Sequence, residues 1–287
     1  MLIQVERLTH IYAASTPLAH TALHEVSLQI DPGERVGILG PTGSGKSTLV
    51  QHLAGLLTPA SGQVYLDGVA AHKRTRAARA QRRRIGLAFQ YPEDQIFEQT
   101  VSREVAFGPH KHRVERAEVD RRVRWALDMV GLDVERFGDR HPLILSGGEM
   151  RRVALAAIVS SLPEVLILDE PTAGLDPQGR RNLLSRIRAW QEETGLTLIL
   201  VSHNLDELAR VVDRVLLLNH GRVVADGPVR GILGDTGRLR AAGLSAPAPV
   251  TLLHALKEAG WPVRTDLLLP EEAAVEINRV RALREAS

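Results

Sequence analysis

The sequence lacks the features that identify several large classes of protein. It contains no cysteine, which excludes disulfides, thiol catalysis and thiolate metal sites and leaves a reducing cytoplasm as the simplest location. No apolar run approaches the roughly 20 residues of a membrane-spanning helix, and the opening MLIQVERLTH lacks the charged and then apolar order of a signal peptide. Any role at a membrane would therefore need a partner.

Aromatic residues are also scarce, at 3% of the chain, and this bears on its one strongly charged segment. The formal net charge is only +2, but residues 73–84, KRTRAARAQRRR, hold a local excess of positive charge. Such a run can form a nucleic-acid patch, yet no aromatic residue interleaves with it. A solvated basic helix or hairpin is the favoured interpretation, and nucleic acid is not expected as a partner.

The chain is long enough, at 287 residues with 44% hydrophobic content, for one large domain with an appendage. Short β-rich runs separated by turn residues predict an opening sheet of hairpin-like strands, namely LIQVERL, EVSLQI and RVGILG. Two further strands are predicted at QVYLDG and IGLAFQ. Residues 100–159 have mainly helical patterns, which predicts a helical insert over about 91–162.

From residue 165 the pattern changes to buried strands that alternate with helices, which predicts a parallel α/β core. The elements are VLILDE, a helix over 178–192, LTLILVS, a helix over 204–212, and VLLLN. After Gly227 the regularity falls, and the Ala/Pro-rich residues 241–250 are typical of a linker to a small tail with helices near 251–259 and 271–284. The predicted division is a main domain over 1–235 and a C-terminal extension over 236–287.

A phosphate-binding loop is predicted at residues 40–48, GPTGSGKST, which match G-x-x-x-x-G-K-[ST] between an apolar strand and a helix. Glycines let successive backbone N–H groups face phosphate oxygens, and the following helix adds its positive N-terminal end. Lys46 would contact the β- and γ-phosphates of ATP, and the Ser47 hydroxyl would ligate Mg²⁺. The alternative is a glycine-rich turn without a ligand. The predicted binding residues are Gly40, Pro41, Thr42, Gly43, Ser44, Gly45, Lys46, Ser47 and Thr48.

Two adjacent carboxylates end the strand VLILDE, at the edge where open α/β sheets bind ligands. Adjacent strand residues face opposite ways, so the two side chains need different roles. Asp169 would hold Mg²⁺, directly or through water, and Glu170 would polarise the attacking water as general base. A solvated strand end is the usual interpretation of such a pair, but the phosphate loop upstream favours the catalytic one.

The segment LSGGEMRRVALAAIVS, residues 145–160, begins with Ser146 and Glu149 at the spacing of a helix capping box. A cap does not explain Gly147 and Gly148, which cost roughly 1 kcal/mol each relative to alanine in a helix. That loss is understandable if a large group approaches the backbone there, and a phosphate would suit a helix start. This segment is therefore a second candidate anion site.

The order GPTGSGKST, Gln90, LSGGE, VLILDEPT, AGLD, His203 resembles that of ATP-binding-cassette (ABC) nucleotide-binding domains, over about residues 1–230. The resemblance implies an α/β P-loop NTPase fold with a parallel core, an antiparallel β subdomain, a helical insert and here a small C-terminal extension. It also implies that two domains pair head to tail. Ser146, Gly147 and Gly148 of one chain would then close over ATP held by the phosphate loop of the other.

Other roles follow only from this resemblance. Gln90 would contact Mg²⁺ and the attacking water, His203 would hydrogen-bond the γ-phosphate, and Asp176 would link the two sites across the dimer. Tyr12 lies where the family places an aromatic side chain that stacks on adenine, although a half-buried tyrosine at a strand end is the alternative. Gln90 could equally be an ordinary glutamine at a strand end. The remaining histidines show no metal-ligand spacing.

Within this family, residues 89–109 look like the glutamine-loop region of the ATPase subunits of energy-coupling factor (ECF) transporters. Four further segments agree with that resemblance. They are the N-terminal segment IYAASTPLAHTAL, the runs LSGGEMRRVALA and DEPTAGLDPQGR, and the tail, which is similar to a dimerisation extension. Ala19, His20 and Glu149 depart from the commoner residues, which leaves the subtype open but not the class.

The ECF resemblance implies uptake of a vitamin or transition-metal ion, a second ATPase subunit, an integral-membrane coupling subunit and a substrate-binding membrane subunit. The chain would lie peripherally at the cytoplasmic face of the cell membrane. The alternatives are a soluble ABC ATPase that acts on nucleic-acid or protein complexes, and a binding protein without turnover. The transported solute, and pairing with itself or with a sister ATPase, stay open.

Overall fold

The computed structural model describes residues 1–89 and 95–285, and its centre is a sheet of mainly parallel strands. The strand order is β10-β9-β3-β8-β7-β6, with β10 antiparallel to β9 and the other pairs parallel. These strands are β3 (Arg35–Leu39), β6 (Ile85–Ala88), β7 (Val165–Asp169), β8 (Thr197–Val201), β9 (Arg214–Asn219) and β10 (Arg222–Pro228). The predicted parallel α/β core is confirmed.

A second sheet is antiparallel and packs beside the first, with the order β2-β1-β4-β5. Its strands are β1 (Ile3–Tyr12), β2 (His20–Ile30), β4 (Ser61–Leu66) and β5 (Val69–Ala70). The prediction that RVGILG also belongs to the opening sheet was wrong, because β3 pairs with β8 and β9. Residues Val36 to Leu39 are all buried, as in a parallel strand covered on both faces, whereas β1 and β2 have exposed positions.

Helices cover both sheets and form the predicted insert between β6 and β7. The insert contains α3 (Val101–Lys111), α4 (Arg116–Met129), α5 (Val134–Phe137), a 3-10 turn at Pro142–Ile144 and α6 (Gly147–Val159). Their apolar faces join one buried cluster, which includes Val105, Leu127 and Val153 and extends into the main sheet. The remaining helices of the main body are α1 (Lys46–Leu53), α2 (Arg76–Arg82), α7 (Pro177–Thr194), α8 (Leu205–Val211) and α9 (Val229–Leu233).

The basic run forms α2, as the interpretation of a solvated helix expects. Thr75 caps the helix by accepting a hydrogen bond from the Ala78 N–H, and only Ala78 of this helix is buried. The Arg84 guanidinium, just beyond the helix, pairs with Asp67 and Glu164. The arginines therefore stay largely in solvent, where their charge costs little.

The C-terminal extension is folded and packs against the main body. It contains α10 (Thr236–Ala241), α11 (Ala248–Glu258) and α12 (Pro270–Glu285) around a small apolar cluster that includes Leu253 and Val280. The prediction of a linker at 241–250 was wrong, because Ala242 and Val250 are buried in the main core. Two arginine–glutamate pairs also hold α12 to α8 and α9, namely Arg210–Glu271 and Arg230–Glu272.

Candidate functional site

A cleft of about 770 Å³ lies at the carboxyl ends of β3, β7 and β8. It is lined by most of the predicted phosphate loop and by Tyr12, Asp169, Glu170 and His203. The loop connects the end of β3 to the start of α1, so its backbone and the helix N-terminus face the same space. The sequence motif and the two carboxylates therefore meet in one place, as predicted.

Two glycines show why the loop has its composition. Gly45 has φ +102°, and a Cβ there would lie 2.5 Å from the Ala22 carbonyl oxygen, so no side chain fits. Gly43 has φ +79°, and a Cβ there would meet none of the described residues within 4 Å, so this side of the loop is open among them. The loop is thus packed on its inner side and accessible on the outer one, as a cradle for phosphate oxygens requires.

Lys46 is held in position by the loop itself. Its ammonium group donates to the carbonyl oxygens of Gly40 at 2.8 Å and Pro41 at 3.0 Å. An ammonium has three N–H donors, so a further one is available to a phosphate. Burial lowers the pKa of Lys46, while the nearby carboxylates Glu170 and Asp169 raise it. The cleft is therefore arranged around a fixed positive charge.

Asp169 and Ser47 supply oxygen atoms suited to Mg²⁺. Asp169 is the last residue of β7 and is buried, and the Ser47 hydroxyl hydrogen-bonds to its carboxylate. Burial raises the pKa of Asp169, and the Ser47 bond opposes that shift. Among the described residues, no group of three or more His, Cys, Asp or Glu side chains could hold a metal. One carboxylate and one hydroxyl beside a phosphate site fit Mg²⁺, which keeps several waters and takes few protein ligands.

Glu170 follows β7 directly and turns away from Asp169. Its φ is +53°, in the left-handed region that costs a non-glycine residue about 1–2 kcal/mol. The Glu170 N–H donates to the Val201 carbonyl at 3.0 Å, and the side chain bonds to His203 after β8. The two strand ends are therefore tied together, and the strained backbone at Glu170 is where a functional carboxylate is expected.

A buried carboxylate, that of Glu207, connects the two segments that carry Glu170 and His203. Glu207 of α8 accepts a hydrogen bond from the Thr172 hydroxyl at 2.6 Å and one from the Ser202 hydroxyl at 2.8 Å. Thr172 follows Glu170 by two residues, and Ser202 precedes His203. No sequence pattern pointed to Glu207, since its role depends on three elements that meet only in the fold.

The predicted adenine contact, Tyr12, stands at the rim of the cleft at the end of β1. Its side chain is 42% exposed, and its hydroxyl lies 3.2 Å from the Thr48 hydroxyl of the phosphate loop. Two residues of the C-terminal extension, Gly243 and Leu244, also line the cleft, as does His20. The first two were missed because their segment had the composition of a linker.

The second candidate anion site, residues 145–160 and hereafter the signature segment, lies at a different cavity of about 400 Å³, lined by Ser146, Gly148 and Asp176 among others. This cavity and the cleft around the phosphate loop share none of the described residues. The capping box is confirmed, since Ser146 accepts from the Glu149 N–H at 3.3 Å and Glu149 accepts from the Ser146 N–H at 2.9 Å.

Packing against the described residues does not explain Gly147 and Gly148. Among those residues, a Cβ at Gly147 would meet nothing within 4 Å, and one at Gly148 would make only ordinary contacts with Leu175 and Gly174. Asp176 caps α7 by accepting from the Gly179 N–H at 2.5 Å. Gln90, predicted to contact Mg²⁺ and water, lies outside the described residues.

Comparison with known proteins agrees with this geometry. The family model described as ABC transporter matches residues 23–173, which include the phosphate loop and both carboxylates. A model for an AAA domain also matches residues 145–209. The chain is 48% identical to the energy-coupling factor transporter ATP-binding protein EcfA2 of Symbiobacterium thermophilum over 287 residues, 100% of this chain and 99% of the relative. It is 41% identical to EcfA2 of Clostridium tetani over 280 residues, which are 98% of this chain and 97% of the relative.

Solved structures are similar as well. CbiO1 of Clostridium perfringens, part of the ABC transporter complex cbiONQ, superposes with a TM-score of 0.71 at 34% identity, covering 84% of this chain and 94% of that one. The post-hydrolysis dimer of the ATP-binding cassette MJ0796, bound to ADP and Pi, superposes with a TM-score of 0.73 at 31% identity. The superposition covers 80% of this chain and 99% of that one. Among the described residues, no helix is long and apolar enough to cross a membrane. The chain belongs to the ABC transporter family and, within it, to the energy-coupling factor transporter ATP-binding proteins, and it is an ATPase that uses Mg-ATP.

Proposed function

We propose that this chain is the ATP-hydrolysing subunit of an ECF-type uptake system for a vitamin or a transition-metal ion. In this proposal it works peripherally at the cytoplasmic face of the cell membrane, with a second ATPase chain and two kinds of integral-membrane subunit. The observation that supports it most is the cleft that holds Lys46, Asp169, Glu170 and His203 together, combined with a signature segment in a separate cavity.

Glu170 acts as the general base in the proposed reaction. Its carboxylate is oriented by His203 from the neighbouring strand end, and it lies beside the fixed charge of Lys46. It accepts the proton of the water that attacks the γ-phosphate, while Lys46 and the loop N–H groups stabilise the charge on the phosphate oxygens. Mg²⁺, held by Ser47 and Asp169, would neutralise phosphate charge and orient the β- and γ-oxygens.

A second chain completes the site. Ser146, Gly147 and Gly148 lie at the exposed start of α6, where N–H groups are available for an anion. Among the described residues, nothing lies within 4 Å of a Cβ at Gly147, which leaves room for the triphosphate of a facing chain. Asp176 lines the cavity that Ser146 and Gly148 also line. Head-to-tail pairing would bring this helix start over the phosphate loop of the partner and exclude water from the reaction.

The proposed contact with the membrane subunit is the exposed aromatic pair Phe97 and Phe107. Phe97 is 61% exposed and packs edge to face against Phe107 of α3, with ring centroids 4.8 Å apart. The buried Glu104 carboxylate accepts from the N–H groups of Phe97 at 3.0 Å and Glu98 at 2.9 Å, which fixes the segment to α3. An apolar patch on a fixed support suits docking of an integral-membrane coupling subunit.

Affinity purification from detergent-solubilised membranes tests this function. We expect the wild-type chain to recover integral-membrane proteins, identified by mass spectrometry, and Phe97→Ser to recover several-fold less of them. Val224→Ser is the matched control, because Val224 is an exposed apolar residue on β10, outside the aromatic pair. Recovery of ribosomes or DNA, with no integral-membrane protein, would favour a soluble ATPase and contradict the proposal.

A further inference from the structure

Two buried histidines lie behind the tyrosine at the rim of the ATP cleft. His10 of β1 is 8% exposed and His52 of α1 is 1% exposed, and His52 Nε2 lies 3.0 Å from His10 Nδ1. The His10 ring also packs edge to face on Tyr12, with centroids 4.4 Å apart and an angle of 75°. The Tyr12 side chain thus packs against His10 through its ring and reaches the Thr48 hydroxyl with its own hydroxyl.

The spacing of these residues produces two matched links between strand and helix. His10 and Tyr12 are two residues apart in β1 and therefore face the same side. Thr48 and His52 are four residues apart and therefore share one face of α1. Two residues along the strand span about 6.8 Å, which is close to the rise of one helical turn, about 5.4 Å. Both pairs can therefore form at once. Tyr12 contacts Thr48 and His10 contacts His52.

The two rings share one hydrogen bond, in which one of the two facing nitrogens donates and the other accepts. Burial lowers the pKa of both rings, to about 4 for His52, so both are neutral at pH 7. A neutral, directional bond holds its geometry without a buried charge.

We propose that the His10–His52 hydrogen bond is a positioning device that fixes Tyr12 relative to the phosphate loop, and so sets where adenine is held when the triphosphate is bound. The proposal rests on the ATP-hydrolysing function proposed above and on the adenine contact that the family resemblance predicts for Tyr12. An apolar pair in these places would fill the same core position, as Ile3, Val5 and Leu8 do earlier in β1. It would not define the separation of strand and helix, because apolar contacts have no direction.

Binding of Mg-ATP and of magnesium tripolyphosphate, which has no base, to the purified chain tests the proposal. Tyr12→Ala should weaken ATP binding about tenfold, the range of base stacking, and leave tripolyphosphate binding unchanged. His52→Leu should weaken ATP binding about three- to tenfold, the range of one buried hydrogen bond, with tripolyphosphate again unchanged. In the Tyr12→Ala background, His52→Leu should have no further effect on ATP. His110→Leu, at an exposed position of α3, is the control.

The double variant His10→Leu/His52→Leu separates positioning from stability. Removing both polar partners leaves no unsatisfied imidazole, so its stability to urea should return towards that of the wild type. Its ATP affinity should stay as low as that of His52→Leu. Recovery of ATP affinity together with stability would show a merely structural pair and overturn the proposal. An effect of Tyr12→Ala without one of His52→Leu would overturn this proposal alone, and no effect of Tyr12→Ala would overturn the adenine role as well.

Discussion

The backbone N–H of His203 donates to Glu170 Oε1 at 2.9 Å, and the Nδ1 atom of the same histidine lies 2.8 Å from Glu170 Oε2. One residue thus contacts both oxygens of the proposed base. The Glu170 backbone is strained, at φ +53°, and these two contacts hold its side chain. Movement of the segment after β8 would therefore move the carboxylate.

His203→Ala should lower kcat for ATP hydrolysis by about 100-fold, at the lower end for groups that act in proton transfer, with little change in KM. The backbone bond to Oε1 would remain, and the Nδ1 contact would be lost. Steady-state phosphate release over a range of ATP concentrations measures both constants. His110→Ala, on the exposed side of α3, should match the wild type. Equal kcat values for the two variants would remove His203 from the mechanism.

Asp169→Asn should raise the Mg²⁺ concentration that supports half-maximal hydrolysis by about 10- to 100-fold. The amide keeps the shape of the side chain and a hydrogen bond to Ser47, but it removes the negative charge that favours a divalent cation. A Mg²⁺ titration at saturating ATP checks this. An unchanged Mg²⁺ requirement would mean that Asp169 is not a ligand.

Gly147→Ala should stabilise the chain by about 0.5–1 kcal/mol, because alanine favours the helix and no described residue lies within 4 Å of its Cβ. ATP hydrolysis should nevertheless fall at least tenfold, since the methyl group would obstruct the triphosphate of a facing chain. Urea unfolding and ATPase assays on the same preparation measure the two effects.

Gly231→Ala is the matched control for this substitution. Gly231 is also helical, in α9, and a Cβ there also meets nothing within 4 Å. It should show a similar gain in stability and unchanged hydrolysis. Full activity of Gly147→Ala would argue against a second chain at this surface.

The free energy of unfolding should decrease as the pH is lowered, because of His52. Burial is the largest cause that lowers the pKa of His52 in the folded chain, and the nearby His10 and His72 lower it further. The pKa is about 4 in the folded chain, against 6.5 when unfolded. Between these values the unfolded chain binds a proton that the folded chain does not, so stability is lost as the pH falls through this window. From pH 7 to pH 5 the loss from this group is about 2 kcal/mol.

Urea unfolding at pH 7 and pH 5 measures this loss. His52→Gln removes the titrating group, so the variant should lose about 2 kcal/mol less than the wild type between the two pH values. His110→Gln, at an exposed position, should lose as much as the wild type. Identical losses for the wild type and His52→Gln would show that His52 keeps an ordinary pKa.

Local motifs were enough to predict much of the fold and the cleft. The phosphate loop, the acid pair after β7 and the capping box at Ser146 each depend on residues close in sequence, and their geometry agrees with the prediction. Membership of β3 in the parallel sheet depends on pairing with β8, more than 150 residues away, which no local pattern reports. The same limit applies to the Glu207 bonds and to the His10–His52 pair.

Glu170 is the group that the proposed hydrolysis requires most directly. In the purified complex of ATPase and membrane subunits, Glu170→Gln keeps the shape and the hydrogen bonds of the side chain but cannot accept a proton at pH 7. We expect phosphate release at this chain's site to fall by at least about 100-fold while ATP still binds, the loss typical of a missing general base. Turnover equal to that of the wild-type complex would contradict the assignment.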